Sequence, residues 1–247
     1  MDIYGLVGFP LGHSFSKKYF SKKFSSLNLR AEYRNFEIDC IEKFPQIFEG
    51  NDTIKGLNIT IPYKEKVLPF LDELSPEAKA IGAVNVIKVI QTNNKRVLIG
   101  HNSDAYGFSE TLKLLLQENH KTALILGTGG AAKAVNYALH QMAITTMYVS
   151  RYPKSSNEIS YNDLDSKIIS SSHIIVNTTP LGMYPKIEGF PDIPYGELTE
   201  NHILYDLTYN PELTTFLKKG KEKGSQIING LKMLELQAEK AYEIWHS

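Results

Sequence analysis

A lysine two residues past a proline, and an aspartate 40 positions further on, are the side chains in this sequence best suited to moving a proton. Lys64 closes the stretch GLNITIPYK (56–64), where Leu57, Ile59 and Ile61 alternate with polar neighbours as in a strand that Pro62 stops. Asp104 follows the apolar run VLIG (97–100) and opens a helical pattern. An ammonium paired with a carboxylate can give a proton to an oxygen or take it back, an effect of about 10²–10⁴-fold in rate. Taken singly, each has a plainer reading: Lys64 as a surface charge and Asp104 as a helix N-cap.

A carbonyl that accepts a proton on oxygen also needs a hydride on carbon, and the chain contains a loop suited to a hydride carrier. TALIL (122–126) reads as a buried strand that runs into Gly127-Thr128-Gly129-Gly130-Ala131-Ala132 and then a helix, the spacing of a dinucleotide-binding turn. Gly127 permits the tight turn and Gly129 lets the backbone approach a pyrophosphate at the helix N-terminus, while Ala132 allows close packing of helix on strand. The following strand ends in Ser150, Arg151 and, shortly after, Lys154, with no carboxylate among them. An acid there would hold the ribose of NAD and repel a 2′-phosphate, whereas a guanidinium binds that phosphate in bidentate fashion. The expected cofactor is therefore NADP(H), against the plain reading of Arg151 as a solvated loop charge.

Further polar residues fall at strand ends in the first hundred positions: Ser14 and Ser16 after the first strand, Thr60 after another, and Asn85 inside the apolar AVNVI. Open α/β sheets bind ligands beyond the carboxyl ends of their strands. Individually, the serines could be N-caps and Asn85 could satisfy buried backbone groups.

The elements that must position these groups alternate strand and helix from end to end, which gives an α/β fold with mostly parallel sheet. Strands are expected at 3–8, 32–38, 54–60, 83–90, 97–100, 122–127, 145–150, 173–179 and 202–209, with a helix from Asp104 to about Asn119. A final helix shows one apolar stripe of Leu231, Leu234, Ala238, Ala241, Tyr242 and Trp245. The Pro- and Gly-rich segment 180–200 reads as a long loop. A domain boundary is inferred near residue 102, ahead of the nucleotide-binding unit. Twenty-seven basic residues balance 27 acidic ones, so bulk charge recruits neither nucleic acid nor an anionic membrane. Cys40 is the only cysteine, which rules out an internal disulfide and a thiolate metal cage; no metal is expected. No basic lead with a long apolar run opens the chain, so a cytoplasmic protein without a signal peptide is expected.

These motifs, in order, resemble the shikimate dehydrogenase family over nearly the whole chain. GFPLGHSFS resembles its serine motif, which implies that Ser14 and Ser16 bind a substrate carboxylate. NITIPYK implies Thr60 as a substrate contact and Lys64 as the acid/base group; GAVN brings Asn85, and HNSDAYG brings Asp104 as the lysine's partner. GTGGAAKA and SRYPK match the cofactor loop (Gly127, Thr128, Gly129, Gly130, Ala131) and the phosphate turn (Ser150, Arg151, Lys154). YDLTYNP implies Leu207 near the nicotinamide and Tyr209 near substrate; NGLKMLELQA implies Gly230 near the cofactor and Gln237 at the substrate. Departures are Lys17 in place of proline, Ser103 of threonine, Ser150 of asparagine and Lys232 of a small residue, together with a short C-terminus.

The resemblance implies a Rossmann-type NADP domain (103–228) and a smaller substrate domain (1–102 with 229–247), with catalysis in the cleft. It implies reversible NADPH-dependent reduction of 3-dehydroshikimate to shikimate in chorismate biosynthesis, by a monomer or homodimer. Rivals are a dehydrogenase acting on quinate, possibly with NAD; a folate-linked dehydrogenase, which would need a larger apolar pocket; and a non-catalytic NADP-binding regulator, which would need no Lys64–Asp104 pair.

Overall fold

The structure is a computed structural model that describes residues 1–12, 15–92 and 95–247. The chain divides into two compact units, Met1–Ser103 with Leu236–Ser247, and Asp104–Glu235.

The first unit is built on strands β1 (Asp2–Gly8), β2 (Ala31–Glu37), β3 (Ile54–Ile59), β4 (Glu73–Leu74), β5 (Val86–Thr92) and β6 (Lys95–His101), ordered β2-β1-β3-β5-β6-β4. β1 pairs parallel with β2 and β3, and β4 parallel with β6, whereas β5 runs antiparallel to both β3 and β6. The carboxyl ends of β1, β3 and β6 and the amino end of β5 therefore share one edge of the sheet. Side chains of successive strand residues face opposite ways. Ile3, Val7, Leu57, Ile59 and Ile87 accordingly pack with Phe44, Phe48 and Val67 in one core layer. Tyr4, Leu6, Tyr33 and Val86 pack on the other side with Phe20 and Phe24 of helix α1 (Phe15–Ser26) and with Ala238, Ala241 and Trp245. Gly56 makes that second layer possible, because a Cβ there would overlap the Trp245 indole, whose Nε1 donates to the Ile87 carbonyl at 3.1 Å. The short α2 (Pro76–Ile81) begins at Ser75, whose hydroxyl accepts from the Ala78 amide at 3.2 Å.

The second unit contains α3 (Asp104–Leu112), α4 (Gly130–Gln141), α5 (Ser166–Ser171), α6 (Thr215–Glu222) and the first turn of α7 (Leu231–His246). Its strands are β7 (Thr122–Leu126), β8 (Thr145–Ser150), β9 (Glu158–Ser160), β10 (Ile174–Asn177), β11 (Ile203–Asp206) and β12 (Gln226–Ile228). They are all parallel and ordered β12-β11-β10-β7-β8-β9. Helices on both faces of such a sheet explain the unbroken apolar runs of β7 and β10, whose Leu124–Leu126 and Ile174–Val176 are buried. Strand succession reverses direction between β7 and β10, the topological switch point at which doubly wound folds bind nucleotides.

Several sequence expectations shift. α3 stops at Leu112, where the Leu115 amide turns back to the Leu112 carbonyl at 2.9 Å and Leu114 is left 82% exposed. The strand expected from residue 83 begins at Val86, because the Ala83 carbonyl is taken by the Asn102 side chain at 2.9 Å and the Val84 amide by Lys64. In the final stripe Leu231 is exposed and Met233 is buried instead. No helix among the described residues is long and apolar enough to cross a membrane.

Candidate active site

Four segments meet at the polar edge of the first unit's sheet. Thr60 leaves β3 with its amide on the Val7 carbonyl at 2.9 Å, which ties the end of β3 to the end of β1. The chain then turns through Tyr63, which is buried and donates its hydroxyl to the Ile38 carbonyl at 2.6 Å, and arrives at a half-buried Lys64. The Lys64 carbonyl accepts the Val84 amide at 2.8 Å. Asn85 is 5% exposed and clamps the end of β6: its Oδ1 accepts the Ser103 amide at 2.7 Å and its Nδ2 donates to the Ser103 hydroxyl at 3.0 Å. Asn85 thus precedes β5 instead of interrupting a strand, and it reaches the ligand edge because β5 is reversed. Ser16 lies half-buried in the first turn of α1. Gln237 is half-buried on α7. Ser14 lies outside the described residues.

Asp104, the first residue of the second unit and of α3, is 1% exposed. A carboxylate this buried requires a charged or hydrogen-bonding partner.

In the second unit the expected cofactor residues all follow carboxyl ends of one parallel sheet. Gly127 leaves β7 at φ +108°, a conformation that L side chains rarely adopt, and a Cβ there would meet the Thr178 hydroxyl at 2.8 Å. Thr128 and Gly129 are exposed; Gly130 and Ala131 begin α4. Gly129 is the N-cap and supplies no side-chain cap, the first turn holds no acid, and a Cβ on Gly129 would meet nothing within 4 Å. These features suit a phosphate group, which the helix dipole and the first-turn amides attract. Ala132, fully buried, seats α4 on the sheet.

Ser150 ends β8 half-buried and accepts the Tyr152 amide at 3.2 Å, while Arg151 and Lys154 are exposed. Burial raises the Tyr161 phenol pKa, and the positive charge of nearby Arg151 partly offsets this. The turn is closed by Glu158, whose carboxylate accepts the Lys154 amide at 3.0 Å and the Ser155 hydroxyl at 2.9 Å. Leu207 and Tyr209 follow β11, both half-buried, and burial raises the Tyr209 phenol pKa.

Gly230 has a packing reason of its own. Its amide donates to the Thr208 carbonyl at 3.1 Å, and a Cβ would overlap the Leu207 carbonyl group. Because the obstacle is backbone and not a flexible side chain, Gly230→Ala is expected to lower unfolding free energy by about 3 kcal/mol, the upper part of the overpacking range. Urea denaturation checks this.

A polar network that no local sequence pattern signals lies behind these residues. Asp206, fully buried at the end of β11, accepts from Asn177 Nδ2 at 3.1 Å, the Thr208 amide at 3.0 Å and the Thr214 hydroxyl at 2.6 Å. Asn177 Oδ1 in turn accepts the Thr179 amide at 3.1 Å and hydroxyl at 2.6 Å. Burial raises the Asp206 carboxyl pKa, opposed by these donors. Thr178 and Thr179 thereby border Gly127 at the switch point. Among the described residues no group of His, Cys, Asp and Glu side chains is placed to hold a metal ion.

Residues 6–87 match the family model described as the shikimate dehydrogenase substrate binding domain. A shikimate dehydrogenase (NADP(+)) from Carboxydothermus hydrogenoformans is 40% identical over 257 residues, covering 98% of this chain and 90% of that protein. The crystal structure of shikimate dehydrogenase 1 from Peptoclostridium difficile superposes with a TM-score of 0.87 at 38% identity, over 100% of this chain and 92% of that one. The Thermus thermophilus shikimate 5-dehydrogenase in complex with NADP(H) and shikimate superposes with a TM-score of 0.85 at 30% identity, over 99% and 93%.

Proposed function

The chain belongs to the shikimate dehydrogenase family, and from that premise we propose how its own residues divide the work of reversible NADPH-dependent reduction of 3-dehydroshikimate to shikimate, a step of chorismate biosynthesis. Bound NADPH supplies the hydride that reduces the C3 carbonyl. Lys64 gives the carbonyl oxygen its proton, or removes it from the hydroxyl in the reverse direction. Asp104 orients the lysine and the substrate hydroxyl. Ser14, Ser16 and Tyr209 hold the substrate carboxylate, and Thr60, Asn85 and Gln237 read the ring hydroxyls. Polar groups arranged for hydroxyls reject analogues that lack them, because their own hydrogen bonds would be left unmade.

On the cofactor side, Gly127 to Ala131 and the start of α4 hold the pyrophosphate. Ser150, Arg151 and Lys154 hold the 2′-phosphate, and Leu207 and Gly230 border the nicotinamide. On this reading the first unit binds substrate and the second binds cofactor.

The observation that supports this reading most is the Val84–Asn85 clamp. Val84 holds the Lys64 backbone, and the next side chain holds Ser103, the residue before Asp104, through bonds of 2.7 and 3.0 Å. One short segment thus fixes the chain at both residues assigned to proton transfer.

The direct test is to supply the purified protein with shikimate or quinate and with NADP⁺ or NAD⁺ and to follow formation of reduced nicotinamide. Shikimate with NADP⁺ should give the highest kcat/KM. Absence of turnover with either acid would instead leave a nucleotide-binding protein. Arg151→Ala is expected to raise the KM for NADP⁺ about tenfold or more, the scale of a charge-assisted hydrogen bond to phosphate. The KM for shikimate should barely move, and equal effects on both constants would remove Arg151 from the phosphate site.

A further inference from the structure

Three histidines stand just ahead of three neighbouring strands of the second unit: His120 before β7, His173 before β10 and His202 before β11. Their rings form a row at the amino edge of the sheet. His173 is in the middle, its ring centroid 6.0 Å from that of His120 and 6.0 Å from that of His202. His120 and His202 are buried, and His173 is half-buried. The two outer histidines close the same kind of turn. The Gln117 amide donates to His120 Nδ1 at 3.0 Å, and the His120 amide returns to the Gln117 carbonyl at 3.1 Å. The Thr199 amide donates to His202 Nδ1 at 3.0 Å, and the His202 amide returns to the Thr199 carbonyl at 3.1 Å. His202 Nε2 reaches the Ile169 carbonyl of α5 at 3.1 Å. A backbone amide only donates and a carbonyl only accepts. Nδ1 of both outer rings is therefore bare, and each ring is neutral with its hydrogen on Nε2. His173 Nδ1 is buried and has no hydrogen-bond partner among the described residues.

We propose that this row is an acid-sensitive latch: the neutral rings fasten the amino edge of the second unit's sheet, and proton uptake at Nδ1 of His120 and His202 releases it. A proton on either nitrogen turns an acceptor into a donor that faces an amide N–H, so the turn must open, and it places a charge in a buried site. The Thr199 hydroxyl, 3.1 Å from His202 Nδ1, can donate to the neutral ring as well. The ionisable side chains on the adjoining segments, Glu118, Lys121, Asp165, Lys167, Glu200 and Lys223, are all exposed. Burial holds the His120 pKa below the ordinary histidine value, opposed in part by the backbone of Asn201 and aided by charge on His173 or His202. The sign follows from linkage. In the unfolded chain these histidines take up protons as the pH falls through about 6.5, while the folded chain keeps them neutral. The stability they confer is therefore complete above about pH 7 and declines as the pH falls below about 6.5. The inference does not depend on the reaction proposed above.

The test compares urea unfolding of the full chain at pH 7.5 and pH 5.5, followed by circular dichroism, with that of the double variant His120→Asn, His202→Asn. An Asn Oδ1 can stand in for Nδ1 as acceptor of the turn amide, but it does not titrate. Each histidine kept neutral in the folded state raises the unfolding equilibrium constant by about tenfold between the two pH values. The rise in the wild type should therefore exceed that in the variant by about a hundredfold for the pair. Burial also lowers the pKa of His101 in the first unit, and that contribution is common to both proteins and cancels in the comparison. If the variant does not fold, nitrogen-15 NMR of the wild-type imidazoles decides. Nδ1 of His120 and of His202 should stay unprotonated from pH 8 to pH 5.5. An equal pH response in wild type and variant, or protonation of either Nδ1 with a midpoint near the ordinary histidine value, would overturn the proposal.

Discussion

Replacing Lys64 with alanine is expected to lower kcat by about 10²–10⁴-fold, the usual contribution of a positioned general acid or base, in a protein that still folds and binds NADP⁺. The fold should survive because the backbone at Lys64 is anchored independently of its side chain, by the Val84 amide on its carbonyl at 2.8 Å and by the buried Tyr63 beside it. Cofactor binding should survive because the glycine loop and the phosphate turn belong to the other unit. The loss should appear in kcat and in kcat/KM alike, the pattern of a group that acts in the transition state. Equilibrium titration of NADP⁺ against the variant, beside its steady-state rates, separates chemistry from binding. A turnover within about tenfold of wild type would be too small an effect for a proton-transfer group.

Asp206→Ala is expected to have the largest effect on stability, about 3 kcal/mol or more, from about 1–3 kcal/mol for each buried donor deprived of its acceptor. The Thr208 amide loses its acceptor, the Thr214 hydroxyl loses a 2.6 Å bond, and the Asn177 Nδ2 group keeps only its longer bond to the Leu181 carbonyl at 3.3 Å. These donors come from three separate segments, so the loss loosens the loop after β10 and the Leu207–Tyr209 segment together. Asp206→Asn, which retains an acceptor oxygen, should lose less. The check is the urea midpoint with the slope unchanged, which reports stability and not a change in the denatured state. A value for Asp206→Ala within about 0.5 kcal/mol of wild type, as for a surface site, would mean that the network does not hold the segments.

The contrast between these two residues shows what the sequence could reveal. Lys64 stands out because a charge follows a strand and a proline, a local pattern. The glycine loop likewise sits between a strand and a helix that both read from periodicity. Asp206 lies within YDLTY, and nothing local tells that its carboxylate turns inward; its partners lie 2, 8 and 29 positions away. Asn85 drew notice as a polar residue among apolar ones, but its place at the ligand edge depends on the reversed direction of β5, which pairing alone decides. Gly230 came from a motif, and the structure adds a local packing cause for it. The end of α3 is hidden in the sequence because apolar Leu114–Leu116 continues the helical pattern while the chain turns back on Leu112.

Shikimate carrying deuterium in place of the hydrogen on C3 tests the central claim most directly, with mass spectrometry of the reduced cofactor after turnover with NADP⁺. The account predicts one deuterium in each molecule of NADPH formed. Unlabelled NADPH, or no reduced cofactor at all, would contradict it.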